Sequence, residues 1–106
     1  VKEFELYLPL SYNDGSPVEN HKIKETGEKL LAFFDGLTYF PQENEGFWKM
    51  GNVVFRDKIV IFRVLSDKPR AARQFLKKLK DYLKESFAQE EILIVEKDAR
   101  ALYRAM

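Results

Sequence analysis

The chain contains no cysteine, one histidine and one tryptophan among its 106 residues, with only four prolines and five glycines. Without cysteine there is no disulfide frame, no thiol nucleophile and no thiolate ligand for a metal. That suits a reducing compartment, and a cytoplasmic location is expected. His21 lies between Asn20 and Lys22, with no serine, cysteine or acid placed beside it by local spacing to make it a general base, so a solvated surface histidine is expected. No ligand-spaced set of histidines and carboxylates would hold a metal, and neither metal nor cofactor is predicted. No apolar run approaches the ~18 residues of a membrane span, and Val1-Lys2-Glu3-Phe4-Glu5 is not the start of a signal peptide. The charges nearly cancel, 18 basic against 17 acidic, which gives no global attraction to an anionic partner.

What is present is the composition of a folded domain: 45% hydrophobic residues, 33% charged, and nine phenylalanines. One domain over residues 1–98 is expected, followed by a tail or short helix over 99–106. The length is close to the size at which a partner subunit adds noticeably to a small core.

Apolar Phe4, Leu6, Leu8 and Leu10 alternate with Glu3, Glu5 and Tyr7, the period of a half-buried strand. Asp14-Gly15 and Ser16-Pro17 then signal a turn. Between Pro17 and Phe34 the residues Ile23, Gly27, Leu30, Leu31 and Phe34 recur at helical spacing, and Gly36 stands where a left-handed helix stop is expected. Leu37 to Phe40 reads as a short strand and Pro41 to Glu45 as a polar loop. Phe47-Trp48-Lys49 and Val53-Val54-Phe55 flank Met50-Gly51-Asn52 as a hairpin, and Lys58 to Leu65 is a strong strand. Asp67 and Pro69 open a helix whose stripe is Ala72, Phe75, Leu76, Leu79, Leu83 and Phe87. Glu91 to Lys97 alternates as a last strand.

Strand, helix, strand, hairpin, strand, helix, strand is the α+β, ferredoxin-like βαββαβ plan with an inserted hairpin, a two-layer sandwich with both helices on one face of an antiparallel sheet. In the strong strand, Val60, Phe62 and Val64 form one face while Ile59, Ile61, Arg63 and Leu65 form the other. The last strand is likewise apolar on both sides, with Ile92 and Ile94 opposite Leu93 and Val95. Leaving such residues in water forfeits roughly 1.5–3 kcal/mol each. A cover for the helix-free face is therefore expected: a second subunit, forming a dimeric α+β barrel, or alternatively the chain's own hairpin wrapped back. Glu5, Tyr7 and Arg63 fall on this face, where Glu5 and Arg63 are expected to pair, either as a structural ion pair or as the polar floor of a pocket.

The core from Phe34 to Val64 resembles small bacterial proteins in families of unknown function. The shared features are an F-[DG]-G-L-T turn (Phe34, Gly36, Leu37, Thr38), a G-x-W hairpin (Gly46, Trp48) and an R-[DE] pair (Arg56, Asp57). Tyr7-Leu8-Pro9-Leu10 with Asn13-Asp14-Gly15 is also similar. The resemblance implies a frame and no activity.

Three functions compete. The first is a non-catalytic binding or interaction module that forms a homodimer through its sheet and takes a small molecule at Tyr7, Trp48, Arg56, Asp57 and Arg63, where an aromatic wall meets a carboxylate and a guanidinium. In the second, Tyr7, Arg63, Trp48 and Asp57 serve a cofactor-independent enzyme of the monooxygenase or isomerase kind, a reading that rests on fold analogy. The third is nucleic-acid binding through Arg70, Arg73, Lys77, Lys80 and Lys84 on the second helix. It is disfavoured because aliphatic residues occupy the sheet positions where stacking rings would be needed. Glu43, Glu45, Glu90 and Glu91 are expected to be solvated rather than paired acids.

Overall fold

The computed structural model describes residues 1–102. Its elements are β1 (Lys2–Pro9), α1 (Asn20–Phe34), β2 (Thr38–Met50), β3 (Val53–Ser66), α2 (Pro69–Ser86) and β4 (Leu93–Asp98). All strand pairings are antiparallel, in the order β2-β3-β1-β4. With the core on one side of the sheet beneath the two helices, this is the expected ferredoxin-like α+β arrangement. Ala99 to Leu102 are not helical, and the remainder of the expected tail or short helix lies outside the described residues.

The alternation in the two central strands divides as the sequence predicts. Phe4, Leu6 and Leu8 of β1 and Val60, Phe62 and Val64 of β3 are each at most 2% exposed. They meet Leu30 of α1 and Ala72, Leu76, Leu79 and Leu83 of α2, and Phe87 and Ile92 close the core beyond α2. Leu31 departs from the expected stripe. It is 51% exposed while Thr26 is buried, its hydroxyl donating to the Lys22 carbonyl at 2.8 Å, which removes the cost of burying it.

Both helix boundaries differ in detail. The left-handed residue ending α1 is Asp35 (φ 60°), whose amide donates to the Leu31 carbonyl, rather than Gly36; a short polar side chain tolerates this conformation. At the start of α2, Lys68 occupies the cap position and Pro69 the first turn. The Ser66 hydroxyl accepts from the Lys68 amide at 3.0 Å, so Asp67 is not the cap.

The largest departure lies between Thr38 and Ser66. The short strand, polar loop and hairpin of the sequence reading are one ribbon, β2 paired with β3 from Thr38↔Arg63 to Met50↔Val53, with an irregularity between Phe40 and Asn44. Pro41 is tolerated because β2 is an edge strand, and the polar residues are absorbed as a bulge. β1 meets β3 only between Ile59 and Ser66. Asn44–Met50 and Val53–Lys58 therefore run on as a two-stranded arm, and the molecule measures 51 × 30 × 26 Å.

Candidate functional site

The helix-free face of the sheet is built in rows. Leu93, Tyr7, Ile61 and Phe40 oppose one another across all four strands. The next row is Val95, Glu5, Arg63 and Thr38, and beyond it stand Lys97, Glu3 and Leu65. The arm-proximal half is thus apolar and the far half charged. Leu93 is 57% and Leu65 43% exposed. The chain does not cover this face with its own hairpin, because the hairpin continues outward along β3.

Glu5 and Arg63 are register partners, yet they do not form the expected ion pair. Lys97 lies 2.8 Å from Glu5 and 3.2 Å from Glu3, one strand away on the other side. Lys97 bridges both acids, and the Arg63 guanidinium instead lies 5.2 Å from the centre of the Phe40 ring, within cation–π range. Hydrogen bonds to Glu5 and then Glu3 hold the Lys97 pKa up. Burial, followed by the charge of Glu5, raises that of Tyr7, so its hydroxyl stays protonated, 3.5 Å from the Glu5 carboxylate.

The other three candidates belong to the arm. Trp48 stacks on Phe55 with ring centres 4.4 Å apart, and its indole N–H donates to Asp57 at 2.9 Å. Arg56 pairs with Glu45 and lies 5.9 Å from the Phe47 ring. Arg56 and Asp57 do not pair with each other, because adjacent strand residues point to opposite faces, and Trp48, 46% exposed, is not packed on the core. Phe47, Met50, Val53, Val54 and Phe55 are between 39% and 63% exposed.

Tyr7 and Arg63 thus sit on the sheet, and Trp48, Arg56 and Asp57 on the arm. Two open cavities, of about 610 and 530 Å3, lie near the C-terminal end of α1. Of the five candidates only Arg63 borders one, together with Thr38 and Arg100. The basic row of α2 is partly occupied: Arg73 grips Glu96 with two bonds at 2.6 and 2.8 Å, and Lys80 reaches Glu91 at 2.7 Å. Glu43 pairs with Lys58 at 3.5 Å, and His21 is exposed. No described helix is long and apolar enough to cross a membrane.

Sequence reasoning missed Lys97 as the partner of Glu5 and the exposure of both arm faces. The first was recoverable only from the β1–β4 register. The second was signalled by Phe47 and Trp48 in succession facing Val53, Val54 and Phe55, apolar on both sides of a ribbon with nothing assigned to cover it.

No family model and no curated protein matches the sequence. Among solved structures, the fold is similar to a phage SAM lyase in complex with S-methyl-5'-thioadenosine, with TM-score 0.64 and 13% identity over 92% of this chain and 80% of that one. It is also similar to the divalent cation tolerance protein CutA1 of Thermus thermophilus (0.64, 12%, 97% and 88%) and to CutA1 of Pyrococcus horikoshii (0.61, 13%, 97% and 87%). The likeness is one of fold.

Proposed function

We propose that this chain is a small non-catalytic interaction module that associates with itself through the open face of its sheet, and that it belongs with the small bacterial proteins of unassigned function whose turn, hairpin and R-[DE] motifs it resembles. A homodimer is the simplest such assembly: two sheets face to face form an α+β barrel, and a two-fold contact asks one surface only to complement itself. The row Leu93, Tyr7, Ile61 and Phe40 carries the reading, because a contiguous apolar band beside a charged border has the layout of an interface core and rim.

Two observations favour binding over chemistry. Tyr7 and Arg63 are separated from Trp48 and Asp57 by the step from sheet to arm, so the quartet a cofactor-independent enzyme needs does not converge in one chain. Tyr7 is also held away from ionisation, which opposes its use as a base.

The reading is tested with Ile61→Lys/Leu93→Lys, two substitutions on the helix-free side that leave the core untouched. The double variant is expected to be a folded monomer, judged by circular dichroism and sedimentation, from a parent that is not one. A variant that sediments as the parent does would overturn the proposal.

A further inference from the structure

We infer that the β2–β3 arm of one chain seats on the apolar row of a second copy, with Trp48 and Phe55 against Tyr7 and Leu93, so that each chain's arm is held in trans. The inference rests on the self-association proposed above and specifies its geometry.

The arm and the sheet share one continuous strand. Opposed residues share a face, and β3 alternates without interruption from Ser66 to Val53 in its pairing with β1 and β2. Phe55 and Val53, with their partners Trp48 and Met50, therefore lie on the same side as Ile61 and Ile59. The apolar row and the arm lie on one side of the ribbon, bent by its twist and by the bulge in β2.

The chain exposes 7715 Å2, whereas a compact monomer of 12.5 kDa exposes about 6,200 Å2. The excess, about 1,500 Å2, is comparable to what each subunit hides in an obligate interface. The Cα radius of gyration, 14.8 Å, likewise exceeds the roughly 13 Å of a compact chain this long.

β2 and β4 are opposite edges of the sheet, three strand spacings or about 14 Å apart. The arm extends away from the body as the continuation of β3, and Leu93 of the same chain is therefore beyond Trp48. An isolated two-stranded ribbon is marginal in water, and this one bears Phe47, Trp48, Met50, Val53, Val54 and Phe55 in the open. A second copy offers the complementary apolar row at the concentration of the chain itself.

Trp48 is the sole tryptophan, so its fluorescence reports the arm alone. Acrylamide quenching of the native chain is expected to fall as concentration rises through the assembly range. In Leu93→Lys, Trp48 is expected to be as quenchable as in the dissociated chain. Since Leu93 and Trp48 do not touch within one chain, that loss can arise only between chains. Met50→Ser/Phe55→Ser, on exposed arm side chains, is expected to weaken self-association by at least about tenfold with the helical circular dichroism unchanged.

If the native chain assembles while Trp48 stays fully quenchable at every concentration, the arm inference fails and the self-association proposal stands. The same holds if Leu93→Lys leaves the protection of Trp48 intact. If the native chain is a monomer throughout, both fail.

Discussion

Trp48 and Asp57 are joined across the arm by an indole N–H to carboxylate hydrogen bond of 2.9 Å, although they are not register partners. Asp57 stands opposite Gly46, and Trp48 opposite Phe55. The indole therefore crosses diagonally over a position with no side chain. A Cβ at Gly46 would make only ordinary contacts, 3.7 Å from Ile59 and 3.9 Å from the Asp57 carbonyl, and would not meet the indole. Trp48 and Asp57 thus tie the two strands of the arm together.

Removing the acceptor isolates this contribution. Asp57→Ala is expected to loosen the arm by about 0.5–1.5 kcal/mol, and Asp57→Asn, which keeps an acceptor, by less. Amide hydrogen exchange would show the effect confined to residues 44–58, with β1 and α2 unchanged. Equal exchange in parent and Asp57→Ala would show that the bond contributes nothing to the arm.

The division of the sheet into a buried and an open face was legible before any coordinates. Strict alternation in Phe4, Leu6, Leu8 and in Val60, Phe62, Val64 admits one orientation once both helices cover the same side. The arm was not legible. Pro41-Gln42-Glu43-Asn44-Glu45 carries the composition of a loop, and nothing local says that Asn44 resumes pairing with Ile59. That outcome is decided by the neighbouring strand, whose β-branched and aromatic residues recruit a polar segment as an edge. The charge pairing was illegible for a related reason: Glu5 faces both Arg63 and Val95, and its choice of Lys97 depends on β4, a neighbour distant in sequence. For the candidate site, the shared face of Tyr7 and Arg63 follows from strand alternation, while Trp48, Arg56 and Asp57 lie apart from them because the hairpin continues outward as the arm.

Acid should weaken the fold through surface carboxylates whose pKa values lie below the ordinary one. Glu96 is lowered by hydrogen bonds from Arg73, Glu91 by one from Lys80, and Glu19 by one from Tyr12 and then Lys22. A carboxylate lowered in the folded chain contributes stability that is complete above its ordinary value, 4.5 here, and disappears as pH falls through the lowered value. Thermal midpoints are therefore expected to be flat near neutrality and to decline below about pH 4.5. Glu96→Gln should make that decline shallower, and since the group is exposed the change is small. A midpoint that rises on acidification would contradict the assignment.

Ala88 occupies a position that suits glycine. Its φ is 51°, and the amides of Ala88 and Gln89 donate to the Glu85 and Lys84 carbonyls at 3.2 and 2.8 Å, the paired bonds of a Schellman stop. An L side chain there is strained through its Cβ. Ala88→Gly is expected to stabilise the chain by about 0.5–1 kcal/mol in urea denaturation, because relief of strain exceeds the entropy that glycine adds to the unfolded state. A loss of stability would mean that the methyl group makes a contact worth more than the strain.

The account turns on whether the helix-free side of the sheet is covered by another copy of the chain. Light scattering on the eluting native protein, at micromolar concentration and moderate salt, measures this without labels or variants. We predict a mass that is an integral multiple, two in the simplest assembly, of the 12.5 kDa chain. A mass of 12.5 kDa that persists as concentration increases would contradict it, leaving Leu93 and Ile61 facing water.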